Sequence, residues 1–411
     1  VDFYCSRSFA PQLASTMSRP SRLAAAAFAL LQTASAGSDI VYIGSAGCDG
    51  DDHGCKDQKE AQKVLRAVTV DSKGGLTAVP ALDVTQDGMP AWLTTSKNND
   101  CLFVIRPDKD DVLAYQVGAD SKLAQPGLTS WSGGHNPVHA SVSLDGRFLV
   151  VANYDGPDTA SKNAGASVAS LSIGDGCSLK VVDYKNHTGH SVNPTRQGAA
   201  HVHSVYALSN GLIYSCDLGL DMIFTYKLDE EGKLTELHRT QTLAGVGPRH
   251  IVQHPHLPVF YVVCEMGEVV LTYRMEEGGA LALLQTSTVL PLGLSGEGKA
   301  AELAILPDGS ALYVTNRGKK NIITTFAVSP EKGTFTSSTQ VEAPAYPRGM
   351  TLAEGGAVLL VAGQSKTELW SYTVGAGGRL TRTSSGLTEA DGLPPNPATF
   401  AVLPGPRALQ V

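Results

Sequence analysis

The sequence predicts an all-β fold, a seven-bladed β-propeller closed by its C-terminal strand. Short apolar runs that end on a polar residue recur along the chain: VYIGS (41–45), LFVIR (102–106), LVVAN (149–153), IYSCD (213–217), YVVCE (261–265), LYVTN (312–316) and LLVAGQ (359–364). Counted on the polar residue, the steps are 47 from Arg106 to Asn153, 64 to Asp217, 48 to Glu265, 51 to Asn316 and 48 to Gln364. A period near 48 fits a four-stranded sheet with its turns, which is one propeller blade. Residues 396–403 read as a last strand that joins the first blade, so that no sheet edge stays open.

Each part of the chain has its own signal. From Met17, Arg19 and Arg22 precede an apolar run at 23–31 and the small residues Ala34-Ser35-Ala36, the layout of a secretory signal peptide. Asp2 is the only acid among the first 36 residues, which also suits a mitochondrial presequence. Residues 1–37 are therefore read as a leader, 38–405 as the propeller and 406–411 as a tail. Secretion is the favoured destination, with mitochondrial or cytoplasmic placement as alternatives. Within the body, Asp145-Gly146 and Asp308-Gly309 supply the positive-φ turns that hairpins need. Runs such as Glu231-Gly232-Lys233-Leu234 open outer hairpins, and the long step between blades holds an insert around 184–197. A dinucleotide-binding fold is excluded, because there is no GxGxxG and no helical periodicity between the strands.

Composition narrows the function. The formal net charge is −7 with acids and bases interspersed, and no basic stripe carries interleaved aromatics, so nucleic acid is not an expected partner. No segment of the body is long and apolar enough for a membrane span. The seven cysteines form no CxxC, which argues against structural zinc. Cys48 and Cys55 flank an acidic loop, either as a small disulfide or as two free thiols. Asn186-His187-Thr188 is a glycosylation acceptor if the chain is secreted. No cofactor is expected, and a monomer is the default because a closed ring satisfies its own edges.

The strand ends divide into two sets. Asn153, Asp217, Asn316 and Gln364 either satisfy backbone groups near the ring axis or line a pocket there. Glu265, Arg249 and Arg317 should converge on one ring face, where burial of charge is costly unless it is paired or functional. His201 and His203 alternate on a strand and so point to one side, without a third ligand at metal-binding spacing. Either imidazole suits proton transfer. His250 should face away from Arg249, as a structural residue. His139, which with His135 precedes Leu144-Asp145-Gly146, could line the same face.

At these residues the chain resembles a known family. Gly247-Pro248-Arg249-His250 followed by Glu265, Ala301-Glu302-Leu303 with Asn316-Arg317-Gly318, and His201-Val202-His203-Ser204 with Asp217-Leu218-Gly219 resemble the seven-bladed lactonase family. That family includes propeller-type 6-phosphogluconolactonases and carboxy-cis,cis-muconate cyclases. The resemblance covers roughly residues 38–405, with departures at Cys264 and Gly363. It implies a small lactone or carboxylate as substrate, with His201, Arg249, Glu265 and Arg317 as catalytic candidates. The substrate-binding candidates are His139, His203, Asn153, Asp217, Glu302, Asn316, Arg348 and Gln364. For lactone hydrolysis, Glu265 or His201 would activate water while Arg249 and Arg317 hold an anionic group and brace the oxyanion. A serine nucleophile is not expected, because no GxSxG elbow is present. The alternatives are a lactonising cycloisomerase and a non-catalytic propeller used as a binding platform.

Overall fold

The apolar runs found in the sequence are strands of a seven-bladed propeller. The computed structural model describes residues 37–46, 63–155, 166–296 and 298–405. The leader up to residue 36, Cys48, Cys55 and the tail from 406 lie outside the described residues. Six four-stranded antiparallel sheets span residues 92–131, 135–187, 202–241, 248–288, 298–342 and 347–388, here blades 1 to 6. Blade 7 joins the chain ends: Pro397–Leu403 pairs antiparallel with Asp39–Ser45, followed outward by Val64–Val70 and Leu76–Ala78. Thr399 lies opposite Gly44 and Ala401 opposite Tyr42, which is the expected closure. Among the described residues no helix is long and apolar enough to cross a membrane.

The innermost strands are Trp92–Thr95, His135–Val142, Val202–Ala207, Pro248–Gln253, Gly298–Ile305, Pro347–Ala353 and Pro397–Leu403, and each neighbours the next around the axis. The recurring runs are the second strands, one step out. Val259–Cys264 and Val358–Gly363 are buried at every residue. A strand packed between blades on both faces loses the polar alternation of a half-exposed strand. That is why these runs stood out. Gly146 and Gly309 both sit at φ +75° in the turns that lead into them.

Repeated contacts lock one blade to the next. The hydroxyls of Tyr214, Tyr261 and Tyr313, on successive second strands, donate to the carbonyls of Gly279, Gly333 and Gly378 in the following blade at 2.8, 2.7 and 2.8 Å. A disulfide between Cys101 and Cys177 ties blade 1 to blade 2. It was not foreseen, because 76 residues separate the two cysteines and no motif marks them.

The feature that makes the site is a β-bulge. In six of the seven blades the innermost strand carries one residue too many at the end where it meets the second strand's polar terminus. The register skips Val138, His203, Arg249, Arg348 and Ala398, and in blade 5 one of Ala301 and Glu302 is extra. A bulge bends the strand and re-aims its side chains.

Candidate active site

Five of those bulge residues, with Glu302, line a cavity of about 560 Å³ at this end of the ring. Arg196, Glu265, Lys299, Arg317, Tyr154, His250 and Trp92 join them. Of the residues expected from the sequence, the cavity gathers Arg249, Glu265, Arg317, His203, Glu302 and Arg348.

The expected strand-end set lies elsewhere. Asn153, Asp217, Asn316 and Gln364 are fully buried one strand out from the axis. The Asn153 amide donates to the Ser132 carbonyl and to Ser167 Oγ, both at 3.2 Å. Asp217 accepts from the backbone N–H groups of His201 and Leu220 and contacts His187 Nδ1 at 2.8 Å. Asn316 Nδ2 donates to Glu268 and to the Lys320 carbonyl, and the Gln364 backbone N–H donates to the Tyr346 carbonyl. They fasten loops; the cavity is not lined by them. His139 is likewise spent on packing, its Nδ1 3.5 Å from the Val205 N–H and its ring against Trp92. His201 stacks on Tyr154 with ring centroids 4.2 Å apart and does not line the cavity. His201 precedes the strand and His203 sits in the bulge, so the alternation that paired them does not apply. His135 pairs with Asp110 at 2.7 Å, also away from the cavity.

Glu265 is the anchor of the charged wall. Its Oε1 accepts from Arg196 at 2.7 Å, and its Oε2 accepts from Arg249 at 3.1 Å and Arg317 at 3.0 Å. Burial alone would raise its pKa, but Arg317, Arg196 and Arg249 outweigh burial and hold the carboxyl well below the usual carboxylate range. A carboxylate so stabilised is a poor base, which corrects the expectation that Glu265 activates water. Its work is to fix three guanidiniums. Arg249 also donates to the Ala301 carbonyl at 2.7 Å, and burial with Arg317 beside it brings its pKa down to about 10.

Arg196 was missed by the sequence reading. It comes from the long loop between blades 2 and 3, where no strand periodicity points to it. The loop is well tied: Gln197 is fully buried and donates to the Leu218 carbonyl, and Asn193 Oδ1 accepts the N–H groups of Thr195 and Arg196. Buried Asp221 then accepts from Ser191 Oγ and from the N–H groups of Gly245 and Gly247. One carboxylate thus holds both the Arg196 loop and the turn that leads into Arg249.

Glu302 is the second buried glutamate and its environment is opposite. Burial raises its pKa to about 7, with Arg249 opposing. His250 Nδ1 lies 2.8 Å from Glu302 Oε1, and the Leu303 N–H donates to the same oxygen. Burial and then Arg249 hold the His250 pKa well below its ordinary value, so the ring is neutral. Arg249 Nη1 lies 3.3 Å from Nε2 and 3.5 Å from Nδ1 of the same ring, so Arg249 and Glu302 both bear on His250. His250 was expected to face away from Arg249. The bulge at Arg249 breaks the alternation and turns both side chains inward. His203 is neutral for the same reason, burial and then Arg249, and its Nδ1 is buried without a hydrogen-bond partner at the cavity wall. Among the described residues no group of three or more His, Cys, Asp or Glu is arranged to hold a metal.

The family model described as Lactonase, 7-bladed beta-propeller matches residues 52–391. The chain belongs to this family. Relatives in this lactonase family include the 6-phosphogluconolactonase of Erwinia tasmaniensis, 30% identical over 77% of this chain and 89% of its own length. The 6-phosphogluconolactonase of Pectobacterium atrosepticum is 29% identical over 74% and 85%. Among solved structures, the periplasmic gluconolactonase of Pseudomonas aeruginosa superposes with a TM-score of 0.76 at 25% identity, covering 89% of this lactonase-family chain and 99% of that one. A putative 6-phosphogluconolactonase from Bacteroides fragilis, at 20% identity and a TM-score of 0.75, shares the fold.

Proposed function

We propose that this chain is a lactone hydrolase that opens the ring of a sugar lactone bearing an anionic group. One observation carries the reading: a near-neutral carboxyl, Glu302, faces the same cavity as an arginine cluster that outnumbers its own carboxylate. Arg196, Arg249 and Arg317 all converge on the one carboxylate of Glu265, and Lys299 and Arg348 line the same cavity. The family and the names of its relatives support the same conclusion.

The chemistry follows from these groups. Ionised Glu302 takes a proton from water as the water oxygen attacks the lactone carbonyl carbon. Charge develops on the carbonyl oxygen, and the guanidiniums of Arg249 and Arg317 stabilise it. The bond from carbon to ring oxygen then breaks, and protonated Glu302 returns its proton to the leaving alkoxide. The product is a hydroxy acid, and no covalent intermediate is needed. His250 steadies Glu302 through both steps. The test is proton release from aldonolactones with and without a phosphate, measured above the spontaneous rate. Acceleration of either supports the reading. Failure on every lactone, or consumption of carboxy-muconate instead, overturns it.

The compartment bears on the choice of substrate. A buried Cys101–Cys177 disulfide supports maturation in an oxidising environment, in line with the signal-peptide layout from Met17. A secreted enzyme would meet lactones without phosphate, and their carboxylate or hydroxyl groups would then occupy the arginine wall. Fractionation of producing cells checks this, with the protein expected outside the cytosol.

A further inference from the structure

The cavity is two-sided, and the division follows the ring. The inward positions at the head of the innermost strands are His203, Arg249, Glu302 and Arg348 in four consecutive blades, and Ala398, Ala91 and Val138 in the other three. Beside this apolar arc stand Met89 and the indole of Trp92. The indole Nε1 is already committed to the Ala140 carbonyl at 3.2 Å. Its ring packs against His139 with centroids 4.1 Å apart and meets His250 edge-on at 5.4 Å. Trp92 is therefore fixed in orientation, half-buried, and one ring away from the Glu302–His250 pair.

Ala398, Ala91 and Val138 offer a hydroxyl no side-chain donor or acceptor, and the polar lining on this side of the ring, Asp108 and Asn136, is engaged with the Met89 N–H and with Asp155. The hydroxylated rim of a sugar laid against this arc would therefore be poorly paired, which is costly when buried. The arc can receive a C–H face, which meets the negative π-face of an indole favourably. We propose that Trp92 is the platform on which the lactone ring lies, a specificity-determining residue that turns the carbonyl and the anionic arm toward the charged arc. The proposal rests on the lactone-hydrolase reading above. It selects cyclic substrates with one unhindered C–H face.

Trp92, Trp131 and Trp370 are the only tryptophans in the chain, so a Trp131→Phe/Trp370→Phe background reports on Trp92 alone. In that background, titration with gluconate, a product that is not turned over, should change the emission saturably. Steady-state kinetics on a sugar lactone should show Trp92→Ala raising KM about tenfold with kcat changed far less, the loss of one buried apolar contact. Trp92→Phe, which keeps a flat face, should restore most of the KM. If Trp92→Ala does not fold, Trp92→Leu carries the same comparison, since leucine keeps bulk but no flat face. Unchanged KM in the Ala or Leu variant, or emission indifferent to gluconate, overturns the platform. If the wild-type protein opens no lactone at all, the lactonase reading falls first; if it does and the Trp92 variants are indifferent, the platform alone falls.

Discussion

His250 Nδ1 and Glu302 Oε1 lie 2.8 Å apart in a buried contact between neighbouring blades, and under the proposed mechanism this pair would set the pH range of the reaction. Burial lifts the Glu302 pKa from 4.5 to about 7, so the base form is lost as pH falls through neutrality. The expected profile of kcat/KM falls about tenfold per unit below pH 7 and levels above it. Glu302→Gln should cost about 10²- to 10⁴-fold and remove this limb. Stability supplies a second readout. The folded state binds this proton more tightly than the unfolded chain, so Glu302 contributes a loss of stability that sets in above pH 4.5 and is complete above about 7. Denaturant titrations should show Glu302→Gln lacking that slope.

Glu265 should behave in the opposite way. Its carboxylate answers Arg196, Arg249 and Arg317 at once. Removing one partner of a buried ionic group leaves uncompensated charge and costs about 3–5 kcal/mol. Glu265→Gln is expected to lower the melting temperature clearly, and inorganic phosphate or sulfate should recover part of the loss by occupying the arginine wall. A variant as stable as the wild type would show that the cage is not what holds these arginines.

The second strands were legible in the sequence because burial on both faces leaves unbroken apolar runs such as YVVCE, and their spacing revealed the ring. The site was less legible, because it stands on the innermost strands and these are bulged. Alternation assigned His250 to the far side of Arg249 and paired His201 with His203; one extra residue per strand reverses both assignments. A signal was nevertheless present. Pro90-Ala91, Pro137-Val138, Pro248-Arg249, Pro347-Arg348 and Pro397-Ala398 repeat a proline just before the inward residue. Arg196 had no such mark, because its place depends on Asp221 and Gln197 holding a loop far from any strand pattern.

Arg196 gives the sharpest test of the anionic arm. It is the most exposed of the three arginines on Glu265, its side chain 29% accessible; burial alone would lower its pKa, but Glu265 and Tyr154 outweigh burial and keep it charged throughout the working range. Arg196→Ala should raise KM for anionic lactones about 10- to 100-fold, the scale of a lost charge-assisted hydrogen bond. Neutral lactones should be affected much less. Equal losses on both classes would show that Arg196 serves the fold through Glu265 and does not read the substrate.

The inter-blade tyrosines should act on stability alone. Tyr261 is fully buried and donates to the Gly333 carbonyl at 2.7 Å. Tyr261→Phe keeps the ring and leaves that carbonyl unpaired, at a cost of about 1–3 kcal/mol. Chemical denaturation should register this loss while KM and kcat on a lactone stay as they were.

The Cys101–Cys177 disulfide separates fold from chemistry in another way. It lies at the opposite end of the strands from the arginine wall, beside a second cavity of about 750 Å³ lined by Ser96, Asp145 and Gly176. Closing a loop of 76 residues restricts the unfolded chain by about 4 kcal/mol in the chain-entropy picture. Cys101→Ser/Cys177→Ser should therefore unfold at lower denaturant, and dithiothreitol should lower the wild-type midpoint toward that of the variant. KM should not change, because neither cysteine touches the arginine-lined cavity. Denatured wild-type protein should also show both cysteines protected from thiol reagents until reduced, whereas Cys216 and Cys264 react at once. Labelling of Cys101 before reduction would mean that the bridge does not form in the producing compartment, and the secretory reading would lose its structural support.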